Sequence, residues 1–254
     1  MKADNRSKVI DAILAGQGSV LNGRTDADLE RFKAVAQGYA LLENSIAVLS
    51  DMHAGVSYIY YGGFADRLGM RLERRADTVM SVWEDDVLSL VHPDDLPSKY
   101  MYELDFFRFV MSRPAARRRD YYMAESLRMK DAAGLYHPVL HRLFYVTDCS
   151  GGAIRLALCL YGPLSPGFGG RCAIFNTVSG RVTELASHSP DGLLSGRELQ
   201  VLRLIADGKP SKTIACELSI SINTVSRHRQ NILDKLHARN SMEACRMAAR
   251  LRLI

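Results

Sequence analysis

No stretch of the 254 residues approaches the roughly 20 consecutive apolar side chains that a membrane-spanning helix requires. The polar start, Met1 to Lys8, is not followed by the apolar run of a secretory signal. A cytoplasmic location is therefore expected, with no membrane partner. Cysteine is scarce: Cys149, Cys159, Cys172, Cys216 and Cys245 are scattered, odd in number and free of the C-x-x-C spacing that zinc and thiol-redox sites use. They read as small buried hydrophobes in a reducing compartment, with no metal site expected. No nucleophile, base and set of oxyanion donors converge in the pattern, so no catalytic residue is assigned and an enzyme is not expected.

Net charge is also missing from most of the chain. Of 33 basic and 28 acidic residues, 11 and 6 fall at or after Asp191, which leaves 22 of each sign before it. The whole surplus of five lies in the last quarter. Clustered Lys and Arg suit a polyanion, because neutralised phosphates release condensed counterions. Five charges alone would describe a solvated basic surface equally well; the helix pattern decides against that.

Ser195-Gly196-Arg197-Glu198 is a capping box in which serine and glutamate satisfy each other's amides at a helix start. Leu199, Leu202, Ile205 and Ala206 follow at helical spacing, and Asp207-Gly208 offers the left-handed glycine that closes the helix. Ser211 is expected to cap a second helix, Lys212 to Leu218. After a turn at Ser219-Ile220, Ser221 caps a third, running to about Leu236. A fourth starts at Asn240, with Glu243 three positions on.

Two short helices across a tight turn make a helix-turn-helix, whose second helix enters the major groove of DNA. At roughly 100° per residue, Val225, Ile232 and Leu236 share the core side of that helix, and Asn223, Ser226, Arg227 and Gln230 the opposite side. Arg229 projects near the apolar side, where its stem is expected to pack and its head to pair with Glu198. His228 lies at the boundary, as a phosphate or packing contact.

Leu194-Ser195, Arg197-Glu198, Val201-Leu202, Gly208, Ile214-Ala215, Leu218, Ile220-Ser221, Asn223-Thr224-Val225, His228, Asn231-Ile232 and Lys235-Leu236 resemble, in order and spacing, the LuxR/GerE-type helix-turn-helix. The resemblance covers about a quarter of the chain. It implies a four-helix module that binds DNA as a dimer. By position it implies base readers at Ser226, Arg227 and Gln230, and phosphate or supporting contacts at Lys212, Thr224, His228 and Lys235. Thr213, Asn223 and Asn231 complete the expected DNA-contacting set. Many members carry lysine where this chain has Ser226, so the sequence read here can differ.

Upstream, the pattern turns from helical to alternating. Strands are expected over Ser45 to Asp51, Val56 to Tyr61, Tyr122 to Met129, Tyr136 to Thr147 and Ile154 to Tyr161. Helices at Phe64 to Leu68, Val87 to Val91 and about Pro97 to Met111 lie between the second and third. That order predicts an α+β layout, a five-stranded antiparallel sheet with helices on one side. Arg171 to Asn176 and Arg181 to Leu185 suggest a small hairpin around Ser179-Gly180, and a helix is expected from Thr25 to about Glu43 that packs on the chain's own sheet, with pairing to a second subunit as the alternative. Asp4 to Leu14 is read as a further helix. His92-Pro93-Asp94-Asp95-Leu96 leading into the long helix resembles a PAS domain, a fold that cradles small ligands or pairs subunits. His92, Asp94 and Asp95 invite a metal or acid/base reading, but proline fixes a turn there and aspartate caps the next helix. Arg117-Arg118-Arg119 reads as a solvated rim.

No cofactor is assigned. The central helix has no cysteine for a flavin adduct, His92 sits in a turn rather than at a haem, and Trp83 is the one tryptophan, unlike the tryptophan-rich pocket of acyl-homoserine-lactone receptors. An unknown small ligand in the PAS-like region stays open.

The expected organisation is a helical lead-in over 1–45, a PAS-like sensing or dimerisation domain over 46–185, a linker over 186–192 and a LuxR-type DNA-binding domain over 193–254. The expected function is transcription regulation, by a homodimer on a two-fold duplex DNA site, with contact to RNA polymerase left open. Two alternatives differ in kind: a signalling or interaction adaptor whose PAS-like domain binds a partner or ligand, and a small-molecule-converting enzyme with an accessory basic domain.

Overall fold

The computed structural model describes residues 25–70, 75–82, 84–148, 152–165, 167–168, 171–185, 194–236, 238, 240–250 and 253–254. The expected helix at Asp4 to Leu14, the linker, Trp83 and Cys149 lie outside these residues.

Helix α1 (Thr25–Leu42) leads into β1 (Ile46–Asp51) and β2 (Val56–Tyr61). Then come α2 (Gly63–Arg67), β3 (Ala76–Val79), α3 (Asp85–Leu88) and the long α4 (Asp95–Met111). A 3-10 turn (Ala115–Asp120) enters β4 (Tyr121–Lys130), followed by β5 (Tyr136–Thr147), β6 (Ile154–Pro163), β7 (Cys172–Asn176) and β8 (Val182–Glu184). All these strands join one antiparallel sheet in the order β3-β2-β1-β6-β5-β4-β7-β8.

The five expected strands form its contiguous middle, so the α+β layout stands, but the sheet has eight strands rather than five. β3 escaped the sequence reading because Ala76–Val79 is short and mostly exposed, with no buried alternation to announce it. The hairpin around Ser179-Gly180 extends the sheet: β7 pairs with β4, Tyr121 opposite Asn176, and so covers an edge that would otherwise expose unpaired amides and carbonyls.

Period-2 alternation builds two cores from one sheet. Ile46, Val48, Ala157, Cys159 and Tyr161 face α4 and join Tyr102, Phe106 and Val110 in the main core. Their neighbours Ala47, Leu49, Leu156, Leu158 and Leu160 face the other way, against Ala36, Ala40, Leu29 and Phe32 of α1. α1 thus lies on the chain's own sheet, as its apolar face predicts. The approach is close at Gly62, where a Cβ would meet the Ala40 carbonyl oxygen at 2.3 Å. That position requires glycine.

Two readings need correction. Asp94 stands at the N-cap of α4, but its side chain makes no cap hydrogen bond, and the Asp95 carboxylate grips β4, accepting from the Arg128 amide at 2.9 Å and from Arg128 Nη2 at 2.6 Å. Arg118 is not a solvated rim residue, since its guanidinium donates to the carbonyls of Arg113, Met111 and Gly152. Asp95 ties the first turn of α4 to β4, and Arg118 ties the 3-10 turn to the end of α4 and to Gly152.

The C-terminal unit has four helices: α5 (Gly196–Ala206), α6 (Ser211–Glu217), α7 (Ile222–Leu236) and α8 (Ser241–Arg250). Its core is Leu194, Val201, Leu202, Ile214, Ala215, Val225, Ile232, Leu236, Ala244 and Ala248. Met101 and Tyr100 of α4 pack against this cluster. Among the described residues no helix is long and apolar enough to cross a membrane. Cys159 and Cys172 are buried as expected, whereas Cys216 is exposed and Cys245 half-buried.

Candidate nucleic-acid interface

The helix-turn-helix is fixed by polar contacts at its helix ends. The Ser195 hydroxyl accepts from the Glu198 amide at 3.3 Å, and the Ser195 amide donates to Glu198 Oε2 at 2.7 Å, completing the expected capping box. Lys235 Nζ donates to the same Oε2 at 2.7 Å, tying the end of α7 to the start of α5. Burial opposes charge on Glu198, but the Lys235 ammonium and the Ser195 amide outweigh it and hold the carboxyl below its ordinary range.

Arg197 performs a task that sequence reasoning gave to no residue. Its Nη2 donates to the Leu218 carbonyl at 2.5 Å, satisfying one of the open carbonyls at the end of α6. The turn behind it takes a positive φ of 52° at Ser219, unusual for a residue with a side chain, so the flanking helices must hold it there. Ser221 caps α7 by accepting from the Thr224 amide at 3.0 Å. Gly208, at φ 77°, closes α5.

Two expected contacts differ. Pro210, not Ser211, stands at the N-cap of α6, and Ser211 is the first helical residue. Its hydroxyl accepts from Arg229 Nη1 at 2.8 Å, while Arg229 Nη2 donates to Ser241 Oγ at 3.0 Å. Arg229 therefore joins α6, α7 and α8 instead of pairing with Glu198, whose carboxylate Lys235 already occupies. Its packed stem was foreseen; the partner could not be, since either cation has the reach.

On α7, Val225, Ile232 and Leu236 are buried, and Asn223, Ser226, Arg227 and Gln230 are exposed. Gln230 Nε2 donates to Asp234 Oδ1 at 2.8 Å, so its amide is partly engaged along the helix. Thr224, His228 and Asn231 are half-buried, and His228 Nδ1 is buried without a hydrogen-bond partner. Lys212 and Thr213 are exposed on the first turn of α6. Lys209 is neutralised by Glu217 at 2.7 Å and Lys235 by Glu198. Among the described residues, Lys212 and Arg227 form no ion pair, which leaves one bare cation on each helix of the motif.

Residues 192–248 match the family described as bacterial regulatory proteins, luxR family. The segment is a LuxR-family domain. The match stops short of the sheet, so the family is that of the helical unit. Among similar proteins, an uncharacterised response regulatory protein of Escherichia coli K12, YgeK, is 44% identical over 64 residues, which is 25% of this chain and 44% of that one. The transcriptional regulatory protein LiaR of Bacillus subtilis 168 is 42% identical over 82 residues, 30% of this chain and 39% of that one. This chain thus spans less than half the length of either relative. A structure of the Vibrio cholerae VqmA dimer, described as a LuxR-type receptor, aligns over 87% of this chain and 86% of that one, at 16% identity and a TM-score of 0.31.

Proposed function

We propose that the protein is a cytoplasmic transcription regulator that binds a two-fold duplex DNA site as a homodimer, with α7 in the major groove. The observation that carries this reading is the pair of unpaired cations, Lys212 and Arg227, exposed on successive helices of a LuxR-family helix-turn-helix. Arg227 lies in the first two turns of α7, and its planar fork suits guanine O6 and N7. Ser226 and Gln230 flank it as further base readers, and Asn223 stands at the helix start. Lys212 and Thr213 on α6, with Thr224, His228 and Asn231, are placed to meet phosphate or support the reading helix, while Lys235 supports it through Glu198.

We divide the chain at 186–192, with a PAS-like domain for sensing or subunit pairing over 46–185, behind a lead-in over 1–45, and DNA reading over 193–254. The upstream part is electrically neutral, which suits regulation or pairing more than contact with a polyanion. A silent adaptor would have no use for bare cations on the reading helices. No catalytic role is assigned to any residue. Contact with RNA polymerase fits a regulator but has no residue assigned to it.

The test is selection of duplexes by the full chain from a random library, followed by binding and mass measurements across salt. The expected result is a two-fold site with half-sites about 10 base pairs apart, centre to centre or a multiple of that, held by two chains. Affinity should fall steeply as salt rises. A single chain on the selected site refutes the dimer; an unselective library refutes the reading.

A further inference from the structure

The most polar point of the sheet unit lies inside it. Alternation places Glu125 of β4, His141 of β5 and Cys159 and Tyr161 of β6 on the face that α4 covers. Register makes Glu125 the cross-strand partner of His141, and His141 that of Tyr161. From α4, Lys99 and Glu103 enter the same space one turn apart. Glu84 closes it, accepting from Tyr161 Oη at 2.8 Å. Lys99, Glu125 and His141 are all at most 2% exposed.

Charge does not balance there. Three carboxylates, Glu84, Glu103 and Glu125, face one ammonium, and Lys99 Nζ donates to Glu103 Oε1 at 2.5 Å.

His141 has one ring nitrogen engaged and one bare. Nδ1 shares a proton with Glu125 Oε1 across 2.7 Å, whereas Nε2, fully buried, has no hydrogen-bond partner and lies 3.8 Å from Glu103 Oε1. A buried imidazole nitrogen left without a partner is costly unless something occupies it. Around it, one carboxylate oxygen of Glu103, one ring nitrogen of His141 and Sγ of Cys159 all lie within 4.8 Å of one another.

We infer that Glu103, His141 and Cys159 form a site for a divalent transition metal of the zinc class, with Glu125 orienting His141 from behind. Carboxylate, imidazole and thiolate are ligands zinc accepts, and three protein ligands leave a fourth position for water or a small ligand. A carboxylate behind a ligating histidine holds the tautomer whose Nε2 lone pair faces the metal. On binding, the Cys159 thiol loses its proton to solvent and its sulfur lone pair forms the metal bond; Glu103 and His141 donate lone pairs, and nothing is oxidised or reduced. Metal binding takes the Glu103 oxygen that Lys99 Nζ holds. The site is independent of DNA reading, so either can fail alone. The ligands sit on three separate elements, which is why no linear spacing announces them.

Full-length protein stripped with a chelator and titrated with Co²⁺ tests this directly. Expected is one equivalent bound, with a thiolate-to-cobalt charge-transfer band that added Zn²⁺ abolishes. Cys159→Ser, close in size, should lose the band while keeping the far-ultraviolet circular dichroism of the folded chain. Glu103→Gln should keep the fold and weaken cobalt binding by more than the roughly 10- to 100-fold that loss of an outer-shell partner costs. Wild-type protein that shows no band at stoichiometric cobalt overturns the site, as does a band that survives Cys159→Ser unchanged.

Discussion

The sheet unit and the helical unit use charge in opposite ways. The sheet unit is neutral overall and buries Glu84, Lys99, Glu125 and His141 between β4, β5, β6 and α4. The helical unit carries the chain's positive surplus, and its buried Glu198 carboxylate serves a helix start while Lys212 and Arg227 stay outside. Internal charge constrains what can sit within a fold, because each buried ion needs a partner. External charge constrains what can dock on it, because it acts through solvent on a partner of opposite sign.

Deletion of residues 1–185 should separate the two uses most strongly. The remaining chain should select the same duplex sequence as the full protein and bind it on the order of 10²- to 10⁴-fold more weakly, the gain that joining two reading modules supplies. The helical core itself loses Met101 and Tyr100 from its surroundings, which are its contacts with α4. A changed sequence preference would mean that the sheet unit reads bases, and the comparison above would break.

Ile232→Ala should act on one unit alone. Ile232 is 1% exposed in the helical core, and the truncation should cost roughly 2–5 kcal/mol. Thermal melts should show the helical transition lowered with loss of DNA binding, while the cobalt spectrum of the sheet unit is unchanged. Loss of both together would show that the units fold as one.

Ser195→Ala removes half of the capping box and should cost about 1 kcal/mol. The linked Glu198 carboxylate gives the sign of the acid response. Its folded pKa is held below the ordinary value by Lys235 and Ser195, so its contribution is complete above that ordinary value and lost as pH falls through the lowered one. Denaturation at a series of acidic pH values should show the wild-type advantage over Glu198→Gln shrinking as pH drops; a constant difference would contradict the linkage. The smallest effect is expected at Lys212→Ala, which should weaken all duplexes alike and lower the salt slope by about 1.

Legibility followed the same division. In the helical unit the caps at Ser195, Ser221 and Asn240 and the buried row Val225, Ile232, Leu236 were visible in the chain because helix signals are local. What stayed hidden were choices between equivalent side chains: Lys235 over Arg229 for Glu198, and Arg197 for the Leu218 carbonyl. In the sheet unit the long strands were legible by alternation, β2 and β5 to the residue. The joining of β7 to β4 and the convergence of Glu103, His141 and Cys159 were not, since register between distant strands leaves no local mark.

The most direct test of the account is selection from a random duplex library by full-length protein and by its Arg227→Ala variant. If α7 reads DNA through Arg227, the variant should lose roughly 1–3 kcal/mol on the preferred site and relax the preference at one position per half-site, leaving the other positions as they were. An Arg227→Ala motif identical to the wild type's at every position would contradict it.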